Sequence, residues 1–471
     1  MKWLENPRKA FGFILAVSLV HALYNSLLPL YPDEAYYWLW SRRLDLSYYD
    51  HPPMVAYLIR VFSQWGDSPF LVRLTAVFCL GVAAWYIYRL ASTLFNGRVG
   101  ALALVICLLL PGTNAGFTLV TPDSPLLMFW AMALFYCWRA ISYERASDYL
   151  LAGLSLGGLL LSKYTAVLFL GFLLFYLALR RPSHLLKKEP WLTLLLALAI
   201  FSPVVYWNAD HNWISFAFQY QHGTSSGSGI HWGRFFEFFG GLFFLFSPVF
   251  FAALLIGLSR VREYWRDDGK FYLASGALFP LCFFLYKGLF KKMELNWVAV
   301  ALVPGVIFLA WFIDSQKLTK TFRAGAVLSL FLVLVMYSPG LFHLPPKANP
   351  HNRLFGYQQA AAEVRHLSHP GDNLFADHLT TASILTYYMP GHPRVSVPVP
   401  TRLSEFTYWD RDLDFRKLSG LCLASRPRKE ALEKVFSKVD LVERFVAQAP
   451  GFRPREFYIY RCAGFQGAGE S

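Results

Sequence analysis

Charge is scarce in this chain of 471 residues. Asp, Glu, Lys and Arg make up 16% of it, where soluble proteins carry roughly a quarter. That shortage excludes an ordinary soluble domain of this size. No Gly-rich phosphate loop is present, so nothing points to a bound nucleotide. Neither a basic helix nor an aromatic-interleaved basic patch is present, which leaves the formal charge of +14 without a nucleic-acid reading. No internal repeat is visible. Cysteines number six. Cys79, Cys107, Cys137 and Cys282 fall in apolar runs, where a thiol acts as core filler. Cys422 and Cys462 lie in the C-terminal stretch, where they either pair in an oxidising compartment or stay as buried thiols.

Apolar residues fill the space that charge leaves. They make up 55% of the chain, with 43 Phe among them. A helical span needs about 20 mainly apolar residues to cross the hydrocarbon layer. Such runs recur up to residue 341 and then stop. They predict eleven spans, at about 10–30, 70–92, 99–118, 125–142, 149–162, 165–180, 191–207, 235–258, 271–288, 297–313 and 324–341. The stretch 149–180 is long for one span and short for two. The polar triplet Ser162, Lys163, Tyr164 at its middle suits a tight hairpin. With the N-terminus inside, the inside loops hold eighteen Lys and Arg and the outside loops nine, the asymmetry expected of a membrane protein. Merging the fifth and sixth spans would move the cluster of Arg180, Arg181, Lys187 and Lys188 to the wrong side. The first run lacks a small-residue cleavage site and reads as a retained helix.

The expected fold class is thus an α-helical polytopic membrane protein with a small C-terminal α/β domain. Residues 1–341 form the membrane domain, with an outer first loop at 31–69, and residues 342–471 form a soluble domain outside. In the first loop, 35–40 and 54–62 read as amphipathic helices lying on the membrane, with Tyr36, Tyr37, Trp38 and Trp40 as interface anchors. In the C-terminal domain, helices are expected at 357–367, 381–388 and 430–437, and strands at 373–376, 394–399, 421–424, 439–447 and 456–461.

Ionisable residues crowd one side. Asp33 and Glu34 follow the first span; Asp50 and His51 sit in Tyr49, Asp50, His51, Pro52, Pro53. Asp123 opens the fourth span within Thr121, Pro122, Asp123, Ser124, Pro125. Lys163 tops the hairpin; Lys287, Lys291, Lys292 and Glu294 lie between the ninth and tenth spans. Charges at the hydrocarbon edge are costly and tend to be functional. Carboxylates serve as general bases, and cations or His hold a phosphate, a set suited to group transfer from a phosphate-bearing lipid. Each piece also has a plain structural reading. Asp after Pro before an apolar helix suits an N-cap, Asp50 a turn, and Lys163 and Lys292 interface snorkelling. His211, His222 and His231, irregularly spaced around a Gly-rich stretch at 223–229, are weak metal ligands.

Taken together, Asp33 and Glu34 followed by Tyr36, Tyr37 and Trp38, then Tyr49 to Pro53, resemble the first outer loop of the dolichyl-phosphate-mannose–protein mannosyltransferase-like family. This family belongs to the GT-C polytopic glycosyltransferases, which include lipid A aminoarabinose transferases. Thr121 to Pro125 resembles its second motif, and Leu161, Ser162, Lys163, Tyr164 its third. Lys292, Met293, Glu294, Leu295, Asn296, Trp297 is similar to a fourth, more loosely. The resemblance spans about residues 10–341. It implies an inverting sugar transfer from a polyprenyl-phosphate donor to a glycolipid such as lipid A, or to a protein, at the outer face of a bacterial inner membrane. By that resemblance Asp33 is the general base, Glu34 its support and Asp123 the second essential carboxylate. Asp50, His51, Lys163 and Lys292 serve the donor phosphate. The chain departs from the aminoarabinose branch where Asp50, His51, Pro52 replace an acid, Lys and Pro, and from many relatives where Asn296 stands in place of the His before Trp297. No cofactor is required by the residues, although their carboxylates are compatible with a divalent ion. The competing readings are a flippase for a lipid-linked sugar and a non-catalytic scaffold. The first needs mid-membrane charges and paired repeats; the second leaves Asp33, Asp50 and Asp123 without a reason.

Overall fold

The computed structural model describes residues 2–224, 229–399, 401–411, 413–414 and 418–466, with the side chains of 222–224 excepted. Two compact units emerge, Met1–Ser26 with Asp45–Tyr337, and Leu27–Leu44 with Ser338–Ser471.

The regular elements described in the first unit are all helical, and helix covers most of each of the eleven apolar stretches, though not their ends or the breaks at Leu110 and Ser247. Six helices are long and apolar enough to cross a membrane alone: Pro69–Leu94, Asp123–Tyr143, Lys188–Asp210, Asp268–Gly288, Leu295–Ser315 and Thr319–Tyr337. Two bent pairs raise this to eight, Gly97–Leu109 with Pro111–Thr118 (63°) and Trp232–Phe246 with Pro248–Ser259 (105°). Proline explains both bends, because it offers no N–H to the preceding turn and biases the residue before it away from helix. Leu110 is accordingly extended and Ser247 lies at φ 66°. Ala146–Leu160 and Tyr164–Arg180 are shorter apolar helices separated at the polar triplet. Length and apolarity thus give six to eight spans among the described residues, and Pro7–Asn25 is not one of them.

Small residues let these helices approach, as expected where lipid supplies no hydrophobic drive for association. Helix Ala146–Leu160 packs closely on two neighbours. A Cβ on Gly157 would lie 2.7 Å from Ile200, and one on Gly158 2.4 Å from the Phe129 ring. Trp130, Phe169, Phe172 and Tyr272 interlock at centroid separations of 5.0–5.5 Å. The loops read as inside carry ion pairs: Arg139–Asp148 at 2.7 Å, Lys187–Glu144 at 2.6 Å, and Arg180 and Arg181 on Asp268.

The second unit is an α/β layer. Its five strands are β1 (Asn373–Ala376), β2 (Val395–Ser396), β3 (Gly420–Ala424), β4 (Phe436–Ala447) and β5 (Arg455–Phe465), in the order β2-β1-β3-β5-β4. β1 runs parallel to β2 and β3, whereas β5 is antiparallel to β3 and β4. All five expected strands form. The helix expected at 430–437 stops at Glu433, because Phe436 and Val439 turn inward as the start of a long strand. Cys422 and Cys462 are buried free thiols on neighbouring strands.

The first loop departs from its expected role. Helix Pro32–Arg42 packs against Leu379–Tyr388 within the second unit. Tyr36, Trp38 and Trp40 are buried there rather than exposed as membrane anchors. Trp38 meets Tyr387 at 5.0 Å, Tyr36 stacks on Phe406, and the Tyr36 hydroxyl accepts from Glu405 N at 3.1 Å. The aromatic run that suggested an interface belt builds a protein core instead.

Candidate active site

In the first unit, polar chemistry collects where helix Asp123–Tyr143 begins. Asp123 occupies the first turn but does not cap it. Its own N–H donates to Thr121 Oγ1 at 3.3 Å, which leaves the carboxylate for other partners. Lys163 Nζ donates to Asp123 Oδ1 at 2.7 Å, and Asn296 Nδ2 donates to Oδ2 at 2.6 Å. Asp123 and Lys163 are only 8% and 6% exposed. The N-cap reading of Asp123 and the snorkelling reading of Lys163 are thereby set aside. A buried pair of this kind holds only if its hydrogen bonds are satisfied, and Asn296 supplies one of them. Lys163 reaches Asp123 because the chain breaks at the triplet. Ser162 Oγ donates back to Gly158 O at 2.6 Å and helps end the preceding helix.

The Asp50–His51 turn is anchored to the same hairpin. Met54 N donates to Leu161 O at 3.0 Å. Helix Ile214–Thr224 holds the turn from another side: Ser215 Oγ donates to Tyr48 O at 3.0 Å, and Gln219 Nε2 to Asp50 O at 2.8 Å. Asp50 is buried and His51 half-buried. Of the loosely matching segment, Lys292 is exposed and sits 4.0 Å from Glu294. The side chain that arrives is Asn296, a residue the sequence reading noted only as a departure. Its signal was its place one residue before Trp297.

Asp33 and Glu34 belong to the second unit. Glu34 is fully buried and accepts from Tyr31 N at 2.9 Å, so it closes the start of helix Pro32–Arg42. Asp33 is half-buried and hydrogen-bonded by the Tyr31 side chain. Burial raises its pKa above the usual carboxylate range, against the lowering effects of Tyr31, Arg353 and Arg402. An elevated carboxylate pKa is what a general base working near neutrality needs. Tyr31 is itself pushed up to about 12, by burial first and Asp33 second.

No group of three or more His, Cys, Asp or Glu that could hold a metal ion occurs among the described residues. His211 stacks on Trp207 at 3.9 Å, and its Nδ1 lies 2.8 Å from Trp207 O. The side chain of His222 and much of the Gly-rich stretch fall outside the described residues.

With this geometry in hand, comparison with known proteins places the architecture. Residues 50–207 match the family model described as dolichyl-phosphate-mannose-protein mannosyltransferase. ArnT from Cupriavidus metallidurans, solved bound to undecaprenyl phosphate, aligns over 95% of this chain and 97% of its own, at a TM-score of 0.69 and 15% identity. The fold is that of the GT-C glycosyltransferases. The archaeal oligosaccharyltransferase AglB from Archaeoglobus fulgidus also aligns in fold, at a TM-score of 0.50 and 11% identity over 96% of this chain and 74% of that one. Among curated sequences, the lipid A galacturonosyltransferase RgtD of Rhizobium johnstonii is 24% identical over 77% of this chain and 78% of its own length. The undecaprenyl phosphate-alpha-4-amino-4-deoxy-L-arabinose arabinosyl transferase of Erwinia tasmaniensis is 27% identical over 71% and 67%. The family-model match takes in Asp50, His51, Asp123 and Lys163, but not Asp33, Glu34 or Lys292.

Proposed function

We propose that this protein is a polytopic membrane glycosyltransferase that moves a sugar from a polyprenyl-phosphate donor to a lipid A-type glycolipid, with inversion at the anomeric carbon. The observation that carries the reading is the buried Lys163–Asp123 pair, completed by Asn296, at the head of a helix in a GT-C fold. Relatives named for lipid A galacturonosyl transfer and for undecaprenyl-phosphate aminoarabinose transfer support the donor and acceptor classes.

The step itself asks little of the protein beyond positioning and charge. A sugar phosphate is already activated. The acceptor hydroxyl gives its proton to Asp33, its oxygen bonds to the anomeric carbon, and the bond from that carbon to the phosphate oxygen breaks. Polyprenyl phosphate leaves. Lys163 balances the departing charge, with His51 contributing when protonated. Asp123 holds Lys163 in place, and Glu34 fixes the helix start that presents Asp33. The Lys292 role implied by the resemblance has no support from its exposed position. The cation at the phosphate is Lys163, so the proposed chemistry needs no divalent ion: chelation by EDTA should leave the rate unchanged, and a loss restored by added Mg²⁺ or Mn²⁺ would assign a metal. In this reading the N-terminus is cytoplasmic and the second unit periplasmic, which the excess of Lys and Arg in the loops taken as inside supports.

The direct test is transfer by the purified protein in vesicles containing lipid A and a polyprenyl-phosphate sugar. Asp33→Asn should fold as the parent does, Asp123→Asn should fold with a lowered melting temperature because Lys163 loses its partner, and each should lose at least about a hundredfold in rate, the lower end for removing general acid–base groups. Full activity in both would end the proposal.

A further inference from the structure

The second unit contains a built polar basin that the transfer step above does not use. Its position follows from topology. After β1 the chain crosses to β2 on one side, and the next crossing returns to β3 on the other. The carboxyl ends of β1 and β3 therefore flank a topological switch point, where open α/β sheets hold their ligands. Asp377 follows β1 there and Ser425 follows β3. Asp377 is 4% exposed and its Oδ2 accepts from Ser425 N at 3.0 Å and Ser425 Oγ at 3.1 Å. Its other oxygen, Oδ1, is buried with no hydrogen-bond partner among the described residues.

A cavity of about 630 Å³ opens at this edge, and Lys347, Arg353, Arg426, Arg453 and Arg455 line it. The single lining carboxylate, Glu456, is held by Arg444 at 2.8 Å and Tyr458 at 2.7 Å. None of the five cations forms an ion pair with a described residue. Five cations gathered in one concavity, none of them in an ion pair with a described residue, make a site whose field favours an anion. Arg outnumbers Lys, and guanidinium groups match phosphate bidentately.

The basin reaches the candidate base within the same unit. Arg353 Nη1 donates to Tyr31 Oη at 3.4 Å, and Tyr31 in turn is hydrogen-bonded with Asp33. Arg455 lies over the Tyr357 ring at 4.6 Å, and Tyr357 senses the charges of both Asp33 and Asp377.

We propose that this basin binds a phosphomonoester of the acceptor glycolipid and so holds the acceptor beside Asp33. The inference rests on the transferase reading, since it is the acceptor that Asp33 must meet. The basin then selects acceptors by charge: a phosphorylated saccharide headgroup binds and its dephosphorylated counterpart binds poorly.

The test is binding to the purified full chain in detergent, with three probes: bis-phosphorylated lipid A, dephosphorylated lipid A and undecaprenyl phosphate. The parent should favour the first over the second by at least tenfold, and less so at high salt. The double variant Arg426→Gln with Arg453→Gln should lose that preference and leave undecaprenyl phosphate binding unchanged. Both side chains are exposed, which protects the fold, and Lys438→Gln on exposed β4 controls for net charge. In transfer assays the double variant should raise KM about tenfold with kcat intact. Unchanged lipid A preference in the double variant overturns the basin, as does a loss confined to undecaprenyl phosphate, which would make it a donor site. Normal transfer with unchanged binding leaves the transferase standing and the basin refuted. Charge-selective binding without any transfer does the reverse.

Discussion

Lys163 and Asp123 are each costly to bury alone and tolerable together. Removing one partner of a buried pair typically costs about 3–5 kcal/mol, because the other charge is left uncompensated. Lys163→Met should therefore lower the melting temperature and abolish transfer. Adding Asp123→Asn should recover much of the stability and none of the activity, which a double-mutant cycle in thermal melts would show. Equal melting temperatures for parent and Lys163→Met would contradict the pairing. Asp33 carries a second prediction. A general base must be deprotonated, so transfer is lost as pH falls through its pKa. Burial raises that pKa above the ordinary aspartate value, so the acid limb of kcat/KM should lie higher than for an exposed aspartate and disappear in Asp33→Asn. At this scale the sequence was uneven. A lysine inside an apolar run has to be explained, so Lys163 stood out. Asn296 did not, because a neutral amide near several lysines carries no signal until the fold brings it to Asp123. Lys292 drew attention for its charge and its motif, yet its side chain points to solvent.

Helices repeat the lesson with different physics. Apolar run length located the long helices of the first unit but not Ile214–Thr224, which lies in a stretch read as a loop, and the break at Ser162, Lys163 and Tyr164 was readable from polarity alone. The bends at Pro111 and Pro248 were not resolved within the stretches 99–118 and 235–258, although proline was there to announce them. The first-loop aromatics were misassigned for a different reason. A Tyr/Trp cluster looks the same whether it faces lipid headgroups or the partner helix Leu379–Tyr388 some 340 residues away. Close packing gives this scale its prediction. Gly158→Leu would drive a side chain into Phe129, and overpacking costs typically 1–3 kcal/mol. The variant should melt several degrees lower, and Phe129→Ala should restore part of the loss. No change on either substitution would contradict the packing.

The whole molecule divides into a helical unit that carries the Lys163–Asp123 pair and an α/β unit that carries Asp33 and the basic basin. Charge asymmetry across the loops predicts their sidedness. In spheroplasts, a membrane-impermeant maleimide should label Lys438→Cys in the exposed part of β4 and should reach Lys320→Cys only after lysis; the opposite pattern would invert the topology. Lipids from cells with and without the protein, compared by mass spectrometry, test the central claim most directly. Loss of the protein should leave one lipid A-type species lighter by a single sugar residue. The parent gene should restore it, and neither Asp33→Asn nor Asp123→Asn should do so. Identical glycolipid profiles with and without the protein, or full restoration by both variants, would contradict the assignment.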